Sequence, residues 1–252
     1  MNVLPKPLRT SKRIISLVPS QTELLSDLGL EEEIVGITKF CVHPENWFRS
    51  KTKIGGTKNL NIEKIHELQP DLIFANKEEN TKEQIEELQT LYPVYISDIH
   101  TVEDAFDMMI EIGELTLKKE QALQIIDHIE AERQVVYEKK NRRALYLIWR
   151  EPFMAAGSDT FIHAMMEEAG LINCLTATRY PSLTKEGIRL LSPELILLSS
   201  EPYPFKEKHI LELQEILPFS QIILVDGELF SWYGSRMSGS FAYFRALNEE
   251  IR

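Results

Sequence analysis

Short apolar runs alternate with amphipathic stretches along the first hundred residues. Residues 13–18 predict a buried strand, and Pro19-Ser20 leads into a helix that Gly29 closes; Ser20 followed by Glu23 has the spacing of a capping box. Residues 34–38 predict a second strand, followed by a loop rich in aromatic and polar residues that runs from Phe40 past Trp47 to Gly55-Gly56. Residues 60–68 carry helical periodicity stopped by Pro70, with the apolar run 72–75 behind it. A helix over 82–91 and a strand over 94–96 complete this half. Alternation at these spacings predicts an α/β fold with a parallel sheet covered on both faces.

Strand signals then stop. Residues 101–140 keep an apolar helical face through Val102, Ala105, Phe106, Met109 and Ile112, break slightly over 113–116, and resume through Ala122, Ile126, Ile129 and Val136. A helix over 118–140 would span roughly 35 Å at 1.5 Å per residue, long enough to join two domains. After Asn141-Arg142-Arg143 the alternation restarts. It predicts strands at 144–149, 195–198 and 222–225, and helices at 159–168, 206–217 and 239–251.

The two halves share a motif. Leu60-x-x-Glu63-x-Ile65-x-x-Leu68-x-Pro70-Asp71-Leu72-Ile73 returns 123 residues later as Leu183-x-x-Glu186-x-Ile188-x-x-Leu191-x-Pro193-Glu194-Leu195-Ile196, with seven of eight matched positions identical. A helix, a proline stop and a buried strand in each half predict two similar Rossmann-like lobes with parallel sheets, joined by one long backbone helix. The expected boundaries are 1–100 for the N-terminal lobe, 101–142 for the connector and 143–252 for the C-terminal lobe.

Composition narrows the function. A net charge of -11, from 28 basic and 39 acidic residues, lacks the cationic surface that phosphate counterion release requires, so nucleic acid is not an expected partner. Two cysteines, Cys41 and Cys174, cannot build a disulfide framework or a four-thiolate zinc site. Residues 14–18 are too short for a signal-peptide core or a membrane span. The expectation is therefore a cytoplasmic protein as the chain is written, or a periplasmic or cell-surface one if a leader has been removed.

In doubly wound sheets, ligands bind beyond the carboxyl ends of the strands. Those ends place Ser20, Phe40 and His43 in the first lobe, and Trp149, Arg150, Trp232, Tyr233 and Arg236 in the second, with Trp47 in the loop after Phe40. Aromatic faces there would cover a large flat ligand held in the cleft between lobes, and Arg236 or Arg150 would pair with a ligand carboxylate, phosphate or amide oxygen. No Gly-x-Ser-x-Gly, phosphate-binding loop or His-Glu-x-x-His occurs in the sequence, so binding without catalysis is expected.

Four stretches carry a family resemblance. They are Arg13-Ile-Ile-Ser-Leu-Val-Pro-Ser20 with Glu23, the Leu-Gln-Pro-Asp-Leu-Ile run ending at Ile73, the segment 157–170, and Ser192-Pro-Glu-Leu-Ile196. In order and spacing the chain resembles the helical-backbone (class III) periplasmic-type substrate-binding proteins of ABC transporters, and most nearly their cobalamin-binding branch. The resemblance implies a monomer with no intrinsic cofactor that holds cobalamin or another metal chelate and delivers it to a transporter permease. It also implies one exposed glutamate per lobe docking on permease arginines. Glu78 and Glu201 stand 123 residues apart and are the candidates, with Glu79 as neighbour. His43, or Cys41 as thiolate, would be an axial ligand to the metal of the chelate. An iron-siderophore or haem receptor remains an alternative, as does, in another class, a cytoplasmic corrinoid- or tetrapyrrole-handling enzyme.

Overall fold

The computed structural model describes residues 12–251. Residues 1–11, on which part of the expectation about a leader rests, lie outside the described residues. The described residues divide into two compact units: residues 12–99, 103–128 and 233–236 form the first, and residues 100–102, 129–232 and 237–251 the second.

The first unit starts with β1 (Ile14–Ser16), α1 (Pro19–Asp27), β2 (Ile34–Ile37), α2 (Glu45–Ser50) and β3 (Thr52–Lys53). A small hairpin, β4 (Gly55–Gly56) with β5 (Asn59–Leu60), precedes α3 (Ile62–Leu68), β6 (Leu72–Asn76), α4 (Lys82–Gln89) and β7 (Val94–Ser97). The sheet runs β3-β2-β1-β6-β7 and every pairing in it is parallel. All five residues of β6 are buried, as expected of a strand covered on both faces.

Two fifteen-residue helices follow, α5 (Val102–Thr116) and α6 (Lys119–Arg133). They are separated by Leu117, which takes the left-handed conformation (φ 59°), while Lys118 N–H closes on Gly113 O at 2.7 Å. A Cβ at Gly113 would stand 2.9 Å from the Ala122 side chain, so glycine lets the first turn of α6 approach α5. Helix α6 carries the chain from the first unit into the second. It ends at Arg133 rather than at 140, and is therefore about 22 Å long rather than 35 Å. At its end the Arg133 guanidinium is held by Glu168, and Val136, which sequence periodicity assigns to the apolar face, lies beyond the helix and is exposed.

The second unit contains β8 (Arg143–Trp149), β9 (Phe153–Ala155), α7 (Phe161–Glu168), β10 (Ile172–Asn173), β11 (Ser182–Leu183), α8 (Lys185–Leu191) and β12 (Leu195–Ser199). It continues through α9 (Glu207–Ile216), β13 (Gln221–Val225), α10 (Glu228–Ser231) and α11 (Met237–Glu250). Its sheet runs β11-β9-β8-β12-β13, with β10 beside β8. Here the expected parallel sheet is mixed, because β8 turns back after residues 150–152 into β9, and so short a connection permits only antiparallel pairing.

The repeated motif folds the same way in both units. Helices α3 and α8 begin on side-chain caps, Asn61 accepting from Lys64 N–H and Thr184 from Gly187 N–H. Both end in a left-handed C-cap, Gln69 (φ 43°) and Ser192 (φ 45°), just before the proline. Asp71 and Glu194 then accept backbone N–H bonds from Arg13 (3.2 Å) and Arg143 (3.0 Å) at the mouth of each unit's first strand. The same two arginines cap the helices by donating to Leu68 O and Leu191 O. Each repeat is thus a helix–strand corner locked by one arginine and one carboxylate.

Candidate functional site

Several loops leave the carboxyl ends of the first sheet's parallel strands. Helix α1 starts directly from one of them: Val18 is its N-cap with extended backbone, and Pro19 takes the first helical position, where no N–H is needed. Ser20 is buried in the first turn and makes no capping bond, so the capping-box expectation fails. Glu23 faces a different partner. Its carboxylate receives Arg236 Nε at 2.7 Å and Arg236 Nη2 on the other oxygen at 2.5 Å. Residues 233–236 belong to this unit and lie along α1, where a Cβ on Gly234 (φ 108°) would meet Leu24 Cβ at 3.5 Å. Arg236 therefore fastens this strap to α1.

In the loop after β2, Phe40 is 50% exposed, and the Lys39 ammonium stands 5.1 Å from its ring centroid. Gly56 lies under that ring, since a Cβ there would come within 3.1 Å of Phe40 Cε2. His43 is half-buried just before Pro44. Cys41 is fully buried and receives the Thr22 hydroxyl at 3.0 Å; burial pushes its thiol up more than hydrogen bonds to Thr22 and Thr38 pull it down. A protonated buried thiol is no axial ligand, so Cys41 leaves the set of metal candidates. Trp47 leaves the set of ligand contacts: in α2 it is 1% exposed, with Lys51 over its ring, and its face belongs to the core. Among the described residues no group of three or more His, Cys, Asp or Glu could hold a metal ion, so His43 would act as a single donor to a metal already chelated.

The loop after β6 is set by two buried asparagines. Asn76 Oδ1 accepts from the N–H groups of Glu78 (2.8 Å) and Glu79 (3.1 Å), while Asn80 Oδ1 accepts from Asn76 N–H at 2.8 Å and Asn80 Nδ2 donates to Thr57 O at 3.1 Å. Glu79 is solvent-exposed, with the charges of Lys58 and Glu78 acting on it. Tyr233 is buried beside this loop, and its phenol is driven well up by burial and then by the Glu79 charge, against hydrogen bonds with Ser20 and Ser97.

In the second unit Trp149 ends β8 with 40% of its surface exposed. Tyr203 meets its ring edge-on at 5.7 Å and packs on Phe205 at 4.8 Å. Behind them, Lys206 N–H donates to His209 Nδ1 at 2.8 Å, so the neutral imidazole carries its proton on Nε2, 3.2 Å from the Tyr203 hydroxyl. Arg150 is engaged within its own unit: Nε donates to Glu212 at 2.9 Å and Nη1 to Glu151. A cavity of about 380 Å³ beside it is walled by these same paired charges and by Lys185, which stands 3.4 Å from Glu212. Trp232 is 7% exposed and gives its indole N–H to Glu201 Oε1 at 2.8 Å; Ser231 donates to the same oxygen at 2.7 Å. Glu201 is thus engaged within its own unit.

Sequence reasoning passed over two groups. Tyr203 and His209 lie beyond the predicted strand end, and no local sequence pattern ties them to Trp149. Glu63 and Glu186 were legible, because they are the glutamates of the repeat itself; both occupy the first turn of their helix and both are solvent-exposed.

The sequence profile of a family described as "Periplasmic binding protein" matches residues 14–216. A vitamin B12-binding protein of Yersinia pestis (strain Pestoides F) is 23% identical over 206 residues, which is 79% of this chain and 73% of that protein. The crystal structure of the periplasmic vitamin B12-binding protein of Vibrio cholerae has a TM-score of 0.81 at 18% identity, covering 96% of this chain and 98% of that one. A periplasmic haem-binding protein from Roseiflexus sp. RS-1 has a TM-score of 0.80 at 19% identity, covering 96% and 99%. At these identities the structural likeness establishes the two-lobed α/β fold. No helix among the described residues is long and apolar enough to cross a membrane.

Proposed function

We propose a definite role for this chain, which belongs to the periplasmic binding protein family: it captures cobalamin or a related corrinoid, without catalysis, and hands it to an ABC transporter permease. The observation that carries the reading is the braced, solvent-facing Trp149 at a strand's carboxyl end, with the half-exposed ring of Phe40 at a strand's carboxyl end in the other unit. Rigid aromatic faces contribute large apolar contact at small rotameric cost, which suits a flat macrocycle. His43, in the same loop as Phe40, supplies an imidazole for the axial position on cobalt. Ser20, Trp232 and Tyr233 act from beneath these loops, holding their shape. The vitamin B12-binding relative and the fold neighbour of the same description favour a corrinoid. The haem-binding neighbour keeps haem as the second reading.

For docking on the permease, Glu63 and Glu186 fit better than Glu78 and Glu201. They are related by the repeat, exposed, and placed at equivalent helix starts, whereas Glu201 already accepts from Ser231 and Trp232. A carboxylate on a rigid helix turn can meet an arginine bidentately and set orientation. The chain works as a monomer on the side of the membrane from which the ligand is taken up.

Calorimetry with cyanocobalamin, dicyanocobinamide, haem and a ferric siderophore tests the reading. The expected result is one-to-one binding of a corrinoid, recovered chemically unchanged. Absence of corrinoid binding, or conversion of the bound molecule, overturns it. Spectra of the complex with the wild type and with His43→Ala should differ if the imidazole reaches the metal.

A further inference from the structure

In the second unit, the ring of Trp149 is braced by residues 200–206, which form neither helix nor strand. Two backbone bonds tie this loop to the sheet: Tyr203 N–H donates to Ile148 O and Phe205 N–H to Ser199 O, both at 3.3 Å. Its two aromatic rings also pack on one side chain of α9, His209, Tyr203 at 5.5 Å and Phe205 at 5.4 Å between ring centroids. His209 is buried, and its ring nitrogens have different partners. Nδ1 accepts the N–H of Lys206, the N-cap of α9, at 2.8 Å, while Nε2 faces the Tyr203 hydroxyl at 3.2 Å. One imidazole thus holds both the aromatic rings of the loop and the point where the loop enters the helix.

This arrangement requires the imidazole to be neutral. A second proton would go to Nδ1, turning an N–H against the Lys206 N–H, and a buried donor that loses its acceptor is costly. The groups around the ring work in the same direction. Burial, then the charges of Lys208 on α9 and Arg150 at the end of β8, hold the imidazole below its ordinary pKa. Glu212 opposes them, but its two oxygens are already taken by Arg150 at 2.9 Å and Lys185 at 3.4 Å. The fourth polar group on the ring is the Tyr203 hydroxyl.

We propose that His209 is the positioning residue for Trp149 and makes capture acid-sensitive: the receptor holds its ligand at neutral pH and loosens it when Nδ1 takes a proton. The proposal rests on the chelate-receptor reading above and deepens it by giving that site a regulator. Ligand and proton then compete, because Trp149 is braced only while His209 is neutral, and each weakens the other by the same factor. Affinity is complete above about pH 6.5, the ordinary value for a histidine, and falls as pH drops through the lower value of the folded protein.

Two measurements on the full chain test this. In isotope-labelled protein without ligand, the Lys206 amide and Trp149 indole N–H resonances, the latter assigned by its loss in Trp149→Phe, should titrate together with one midpoint below about pH 6.5. Cyanocobalamin and haem are then titrated calorimetrically at pH 7.5 and at one unit below that midpoint. Whichever binds should bind at least about fivefold more weakly at the lower pH. His209→Gln, which keeps an acceptor for Lys206 N–H but takes no proton, should abolish this weakening and recover most of the affinity that His209→Ala loses at pH 7.5. His43→Ala, which removes the other imidazole that the receptor reading places near the ligand, should leave the weakening in place. A Trp149 resonance that stays still while Lys206 titrates overturns the proposal and leaves the receptor reading standing. So does equal affinity at the two pH values, or a weakening that survives in His209→Gln and vanishes in His43→Ala. If neither ligand binds at either pH, the receptor reading falls and takes this proposal with it.

Discussion

The Glu23–Arg236 pair makes the account of the strap quantitative. Glu23 sits on α1 and Arg236 ends the segment 233–236, which lies along that helix; the two are 213 residues apart in sequence and joined by two charge-assisted hydrogen bonds. Such bonds contribute about 1.5–3 kcal/mol each when well enclosed, whereas an exposed ion pair contributes about 0–1 kcal/mol. With side chains 20% and 19% exposed the pair lies between these limits, and a coupling energy of about 2 kcal/mol is expected. A double-mutant cycle of Glu23→Ala, Arg236→Ala and the double variant, unfolded in urea, measures it directly. Each single variant should lower the melting temperature by about 4–8 °C, given about 2–4 °C per kcal/mol for a chain of this size. The double variant should lose little more than either single one. A coupling below about 0.5 kcal/mol would refute the claim that this pair fastens the strap.

Other outcomes follow from the same geometry. Burial, reinforced by the Lys208 and Arg150 charges, holds the His209 imidazole below its ordinary pKa, so the unfolded chain takes up the proton first as pH falls. The stability tied to neutral His209 is complete above about pH 6.5 and is lost as pH drops through the lower folded value. Urea midpoints at pH 7.5 and 5.5 should therefore differ more for the wild type than for His209→Gln, and an equal difference would count against the brace. Gly227→Ala would place a Cβ 2.4 Å from Ser199 Oγ and 2.7 Å from Glu201 Cγ. It should cost about 1–3 kcal/mol in urea unfolding, and a cost under about 0.5 kcal/mol would mean the loop yields freely. The variant carrying both Glu63→Ala and Glu186→Ala should keep its affinity for the ligand but fail to support uptake in cells; unimpaired uptake would exclude both from docking.

The fold was legible wherever one local rule settled it. Apolar runs such as 72–75 and 195–198, each stopped off from its helix by a proline, are strands in both units, and the 123-residue offset identifies them as equivalent corners. The antiparallel β9 was missed because three residues after a tight turn carry too little periodicity to register. The connecting helix was overextended because Val136 keeps the apolar spacing, although the chain has left the helix before it. The site was harder to read, since a sequence gives a side chain's type but not its direction. Trp149 and Trp47 look alike as loop tryptophans, yet the first keeps 40% of its surface in solvent and the second 1%. Arg236 reads as a free guanidinium because its partner is on the first helix, and no local pattern encodes a contact over that separation.

Hydrogen exchange with and without saturating dicyanocobinamide tests the central claim most directly, because it reports where the chain is protected without assuming which residues matter. The account predicts slowed exchange in the carboxyl-end loops 38–43 and 76–80 of the first unit and 149–153 and 200–205 of the second, with the strap 233–236 already protected in the free protein. Unchanged exchange in those loops at ligand saturation, or protection confined to the opposite, amino-terminal ends of the strands, would contradict it.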